Sequence, residues 1–139
     1  TFVGATHWQA SSFDELEAAM VTGRLDAIQI PYNPREREVE ERLLPLAAEL
    51  GLGVLIMRPF AAADLMRTIP SAAELAPLHP FGIDTWGQAL LQWGLSHPAT
   101  TVSIPATSKT GRAEENAAAG DATPLDDEHR QLISRLVGA

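Results

Sequence analysis

Apolar residues fall in two textures along the chain. Four short runs, at residues 2–5, 26–30, 53–57 and 101–104, are bounded by turn-forming residues and have the length of buried strands. Between them apolar positions recur at three- and four-residue spacing, which predicts helices with one face on a core. Phe13, Leu16, Ala19 and Met20 form the first stripe, opened by Ser12-Phe13-Asp14-Glu15 in the form of a capping box and closed by Gly23. Val39, Leu43, Leu46, Ala47 and Leu50 form the second, over about residues 37–50, with Pro45 expected to kink that helix or start its second half. Trp86, Ala89, Leu90 and Trp93 form a third behind a cap at Asp84, and their spacing reads as core packing. A last helix, capped by Thr123 or Asp126, carries Leu125, His129, Leu132, Ile133 and Leu136 on one face. Strand and helix alternate four times, which requires parallel strands with helical crossovers and an α/β fold.

The pattern lapses between residues 61 and 83, where a short helical turn at 64–67 is followed by Pro70, Pro77 and Pro80. A connection this long reads as a lid or ligand loop. Ser96-His97-Pro98 ends the tryptophan-bearing helix, and His97 is expected in solvent at its terminus.

Composition narrows the function classes. The 139 residues suffice for one domain with a real core, and 45% apolar with 20% charged residues is ordinary for a soluble chain. No apolar run reaches the ~18 residues needed to span a bilayer. A net charge of −8 argues against nucleic-acid and anionic-membrane partners. The absence of cysteine excludes disulfides and thiolate chemistry, so a reducing, cytoplasmic location is the expectation. The chain opens without methionine and already in strand-forming residues, so it is expected to be a piece of a longer protein.

The richest chemistry lies at residues 101–116, where a short buried strand meets Pro105, a hydroxyl-rich turn and a new helix. Thr107, Ser108 and Thr110 are candidate N-cap oxygens, and the free amides of a helix start attract anions. Arg112, Glu115 and Asn116 stand at i, i+3 and i+4 and share one helix face, with Lys109, the only lysine, at its mouth. By local chemistry alone this is either an anion site or a capped helix with a solvated face.

Ile104-Pro105, a following hydroxyl and later Arg112-x-x-Glu115-Asn116 resemble the last strand–helix unit of the aldo/keto reductases. The resemblance extends through the chain. Val3-Gly4-Ala5-Thr6-His7-Trp8 is similar to that family's Gly-Val-Ser-Asn-Phe strand, and Gln29-Ile30-Pro31-Tyr32-Asn33-Pro34 to its Gln-x-Glu-Tyr-x-Pro. Met57-Arg58-Pro59-Phe60 stands where the family has Tyr-Ser-Pro-Leu. The resemblance implies the second, (β/α)4 half of a TIM (β/α)8 barrel, with outer helices and a long loop after the third strand. It implies NADP as cofactor. Thr6, His7 and Gln29 would hold the nicotinamide carboxamide, and Met57 would floor the ring. Arg58 either reaches the pyrophosphate or is a surface arginine at a loop mouth. Pro59 and Phe60, which close the strand, are cofactor-binding candidates beside it, and Ala61, Ala62 and Leu65 would come from the covering loop. Ile104, Ala106, Thr107, Ser108, Lys109, Arg112, Glu115 and Asn116 would hold the adenosine phosphate end.

The family's catalytic tyrosine and its supporting lysine, aspartate and histidine belong to the other half of the barrel, and no motif here matches them. Tyr32 belongs to the Gln29 motif and Lys109 to the phosphate turn, so no catalytic residue is assigned. The resemblance implies a parent that reduces small carbonyl substrates with NADPH. A non-catalytic dinucleotide sensor, or a remnant without cofactor, remains open on the sequence. A half-barrel has two raw strand edges and an apolar inner face, so self-association or pairing with an N-terminal half is expected.

Overall fold

The computed structural model describes residues 1–138. Strands β1 (Gly4–Thr6), β2 (Ala27–Pro31), β3 (Gly53–Met57) and β4 (Val102–Ser103) form one sheet in that order, with every neighbouring pair parallel. Helix α1 (Phe13–Met20) joins β1 to β2, and α2 (Leu43–Leu50) joins β2 to β3. The long connection after β3 contains α3 (Ala72–Leu75) and leads into α4 (Trp86–Leu95). After β4 come α5 (Thr110–Ala118) and α6 (Asp127–Leu136). This is a four-stranded parallel sheet with flanking helices, the expected (β/α)4 half of a TIM-like barrel.

Alternation along the strands separates two faces. Ile28, Ile30, Val54 and Ile56 are wholly buried beneath the helices, each contributing about 1.5–3 kcal/mol by leaving water. Ala27, Gln29, Leu55 and Met57 take the opposite face and are half-buried. Helix α4 is buried along nearly its whole length, as an apolar stripe that wraps the helix requires. A β-carbon at Gly94 would stand 2.9 Å from Ile56 Cδ1, so glycine sets how closely α4 approaches the sheet. Trp86 and Trp93 are core residues as expected, and their indole N–H groups donate to Leu65 O at 2.8 Å and to Arg130 O at 3.1 Å.

Several local expectations are corrected. Ser12 precedes α1, but a 3-10 turn (Ala10–Ser12) leaves it at φ −115, ψ 15, and its side chain caps nothing. Helix α4 is capped by Thr85 rather than Asp84, in a reciprocal capping box with Gln88. Ser71 and Glu74 form another such box at α3. The stretch 37–50 is divided: a 3-10 turn (Glu38–Glu40) precedes α2, which starts at Leu43 and holds Pro45 in its first turn. Val39, Leu43 and Ala47 are buried as expected and Leu46 packs against the core, while Leu44 joins them and Leu50 is exposed. Of the two expected caps for α6, Asp126 serves, with Oδ1 accepting from His129 N at 2.9 Å.

The last strand is not buried. Val102 and Ile104 are each 41% exposed, because the inner face of the sheet has nothing over it. Phe2, 91% exposed, lies outside the paired part of β1. The concave face forms a trough of about 560 Å³ lined by Val3, Thr6, Ala27, Gln29 and Leu55 among others.

Candidate functional site at the carboxyl ends of the strands

Parallel pairing brings all four strand ends to one rim. Thr6 is level with Gln29, Gln29 with Leu55, and Leu55 with Val102, so one row of side chains crosses the inner face. Met57, paired with Pro31, stands one layer nearer the rim. Within this frame Gln29 Nε2 lies 3.8 Å from Met57 Sδ, a weak contact for an amide. Thr6 Oγ1 donates to Gln29 O at 3.1 Å and His7 N approaches the same carbonyl at 3.3 Å. The hydroxyl of Thr6 is therefore an acceptor toward the trough. His7 Nδ1 accepts from Gln9 N at 3.3 Å, which leaves Nε2 as the free ring nitrogen.

Beyond β3 the backbone is unusual. Arg58 has φ 55, and Ala61, Ala62 and Ala63 have φ 47, 55 and 74, left-handed conformations that cost an L-residue ~1–2 kcal/mol each. Asn33, buried after β2, holds this turn: its Nδ2 donates to Arg58 O at 2.9 Å and to Glu36 Oε2 at 2.6 Å. Its Oδ1 accepts from the amides of Arg35 and Glu36. Arg58 reaches back to Glu36, with Nη2 3.1 Å from Oε1. Pro59 is buried and Phe60 half-buried beside it. Leu65 is 3% exposed and packs in the core.

The turn after β4 stands apart from this cluster in its chemistry. Lys109 is the N-cap residue of α5 and no side chain caps the helix, contrary to the expected hydroxyl cap. Thr107 Oγ1 instead accepts from Lys109 N at 3.1 Å just before the helix. Ala106, Thr107, Ser108, Lys109 and Arg112 are exposed, and among the described residues neither Lys109 nor Arg112 enters an ion pair. Glu115 shares the α5 face with Arg112 but is engaged: Thr85 Oγ1 donates to its Oε1 at 2.5 Å. Asn116 is half-buried and lines a cleft of about 420 Å³ between α4, β4 and α5. Gln92 and Ser103 line the same cleft, and Gln92 Oε1 and Ser103 Oγ are buried without hydrogen-bond partners.

A second polar cluster, unforeseen from the sequence, lies on the helix side. Tyr32 is fully buried; its hydroxyl donates to Glu40 Oε1 at 2.6 Å and accepts from Arg130 Nη2 at 2.7 Å. Burial, then the bond to Glu40, push the Tyr32 phenol well above its ordinary pKa. Arg130 and Arg37 lie over the Trp93 ring at 4.6 and 5.5 Å. His97, expected in solvent, meets Tyr32 edge-on at 5.8 Å, and its Nδ1 accepts from Ala99 N at 3.2 Å. Among the described residues no group of acidic and histidine side chains could hold a metal ion, and no helix is long and apolar enough to cross a membrane.

Comparison with known proteins agrees with this arrangement. The sequence profile described as "Aldo/keto reductase family" matches residues 2–137. The "Probable aldo-keto reductase 1" of Glycine max is 24% identical over 135 residues, covering 78% of this chain and 39% of that protein. Among solved structures, an aldo-keto reductase from Bacillus halodurans in its holo form superposes with a TM-score of 0.72 at 25% identity, covering 97% of this chain and 49% of that one. An aldo-keto reductase from Klebsiella pneumoniae in complex with NADPH gives a TM-score of 0.73 at 26% identity, covering 96% and 47%. The chain thus spans about half the length of these solved relatives, and less of the curated one. With its four parallel strand ends gathered at one rim, the chain belongs to the aldo/keto reductase family.

Proposed function

We propose that this chain is the NADP(H)-binding half of an aldo/keto reductase-like oxidoreductase that reduces small carbonyl compounds. NADPH, when bound, supplies the hydride. Gln29, with Thr6 and His7 beside it, offers the amide, hydroxyl and ring nitrogen suited to a carboxamide, and Met57 offers an apolar floor. Ile104 and Ala106 flank the strand end, while Pro59, Phe60 and Arg58 border the position for a pyrophosphate. Thr107, Ser108, Lys109 and Arg112 supply hydroxyls and cations for a ribose 2′-phosphate, with Asn116 next along the helix. Glu115 lies on the same helix face as Arg112, with Oε1 accepting from Thr85. The observation that carries the reading is the pair Lys109 and Arg112, exposed and, among the described residues, outside every ion pair, at the start of a helix beyond a strand end.

The proton donor for carbonyl reduction is assigned to the complementary half of the barrel. Tyr32 is unsuited to the role: it is buried, and its hydroxyl is shared between Glu40 and Arg130. A dinucleotide-binding sensor without turnover is the alternative, and a complementary half lacking a proton donor would favour it. Pairing with the other half, or with a second copy, would cover the trough.

Measuring NADPH and NADH affinity for the wild type and Arg112→Ala tests the cofactor assignment. Loss of a charge-assisted contact to the 2′-phosphate lowers NADPH affinity by about tenfold or more and leaves NADH unchanged. An NADP preference that survives the substitution refutes it.

A further inference from the structure

Arg58 is the guanidinium nearest the end of β3, and it is not free. Its Nη2 stands 3.1 Å from Glu36 Oε1 and its Nε 3.4 Å from Glu36 Oε2. Both contacts are longer than the about 2.7–2.9 Å usual for charge-assisted bonds, and they join the guanidinium to the carboxylate as a fork open to solvent. Glu36, by contrast, is anchored: Asn33 Nδ2 donates to it at 2.6 Å, and Asn33 is itself 1% exposed. The same asparagine fixes Arg58 O at 2.9 Å while Arg58 sits at φ 55 directly before Pro59, an uncommon backbone state. The Arg58 side chain is 35% exposed and that of Glu36 29%, so solvent reaches the pair. One partner is thus fixed and the other can leave.

We propose that Glu36 is an internal competitor for Arg58, holding its guanidinium until a diphosphate group displaces the carboxylate. This rests on the dinucleotide reading above and adds a specificity device to it. A monoanion offers Arg58 no more than Glu36 already does, and pays the cost of breaking the pair. A diphosphate brings higher charge and several acceptor oxygens, and can take over the fork of donors. Glu36 therefore screens the rim against simple carboxylates in a chain of net charge −8, and it lowers affinity for the diphosphate by the strength of the pair.

The test titrates inorganic pyrophosphate, acetate and NADPH into the wild type, Glu36→Gln, Arg58→Met and the double variant by calorimetry. Glu36→Gln keeps an acceptor for Asn33, and Glu36→Ala, which places no second amide there, is the companion variant. Removing the carboxylate is expected to tighten pyrophosphate binding by about threefold to fivefold, the scale of a part-exposed ion pair, and to admit acetate. Arg58→Met is expected to abolish that gain. Equal pyrophosphate affinity in wild type and both Glu36 variants overturns the proposal. So does a gain that persists in the double variant, or pyrophosphate binding to none of the proteins. NADPH binding that responds to Arg112→Ala but not to Glu36→Gln sinks the competitor and leaves the cofactor reading intact. Pyrophosphate binding that tightens in Glu36→Gln without any NADPH binding does the reverse.

Discussion

Arg130 ties α6 to the core, and replacing it with methionine isolates that tie while keeping the aliphatic stem. Its side chain is 15% exposed. Its Nε donates to Trp93 O at 3.0 Å and its Nη2 to Tyr32 OH at 2.7 Å, and its guanidinium covers the Trp93 ring. Trp93 O is one of the last four carbonyls of α4, where intrahelical donors run out. Arg130→Met leaves that carbonyl and the Tyr32 oxygen short of a partner, at about 1–3 kcal/mol each. The lost cation–π contact adds ~1 kcal/mol, and relief from burying the guanidinium returns part of the sum. The net expectation is a loss of ~3 kcal/mol, or roughly 10 °C in melting temperature for a chain of this size. Arg37→Met is the comparison: Arg37 bonds Glu40 at 2.8 Å and lies over the Trp93 ring at 5.5 Å but is 49% exposed, so its ion pair costs at most ~1 kcal/mol and the exposed ring contact ~0.5 kcal/mol more. Urea unfolding followed by tryptophan fluorescence, at one protein concentration for all variants, reads both. Equal losses for the two variants would refute the argument that burial, rather than charge, gives this cluster its weight.

Two further predictions concern pH and assembly. Burial, and then the charge of Arg130, lower the pKa of His97 against a smaller opposing effect of Glu40. A histidine with a depressed folded-state pKa contributes stability that is full above its unfolded value of 6.5 and lost as pH falls through the folded value. The wild-type urea midpoint should therefore drop between neutral pH and the folded pKa, and His97→Gln should flatten that limb; parallel curves would contradict it. The isolated chain should sediment as a dimer or larger species because Val102 and Ile104 lie exposed on the uncovered face. Val102→Lys with Ile104→Lys should shift it to monomer, and a monomeric wild type would count against the pairing.

What could be read in advance follows from how local each cause is. Strand β3 was legible to the residue because Gly53–Met57 is an apolar run flanked on both sides by paired strands. Strand β1 lost its first residues because its pairing with β2 begins at Gly4, leaving Phe2 unsupported. The α2 stripe is legible at Val39, Leu43, Leu46 and Ala47, but Leu44 and Leu50 depart from it because the helix restarts at Leu43 and ends at Leu50. Thr85-x-x-Gln88 was a readable cap signal that Asp84 obscured, while Ser12 shows that the same pattern fails when a 3-10 turn precedes it. His97 against Tyr32, and Arg130 against both Tyr32 and Trp93, join distant parts of the chain and leave no local trace. Nothing in the sequence says that the Asn33 amide holds the Arg58 carbonyl just beyond β3.

The gathering of candidate groups at one rim is a consequence of topology rather than of their individual chemistry. In a parallel sheet every apolar run is followed by its polar residues at the same end, so Thr6, Asn33, Arg58 and Thr107 reach one side of the molecule whatever they are. The informative question is then which of them the protein has already used. Asn33 and Glu36 are consumed in building the rim, Glu115 in bracing α4, and Leu65 in the core. Gln29, Lys109 and Arg112 are the groups the fold leaves least engaged: among the described residues the Gln29 amide has a thioether as its side-chain hydrogen-bond partner, and the two cations enter no ion pair. A buried structural role would have supplied those partners, as it does for Tyr32 and Arg130. Under the proposed reading, Gln29 on β2 and the two cations beyond β4 are the groups an elongated ligand with an amide at one end and an anion at the other would engage.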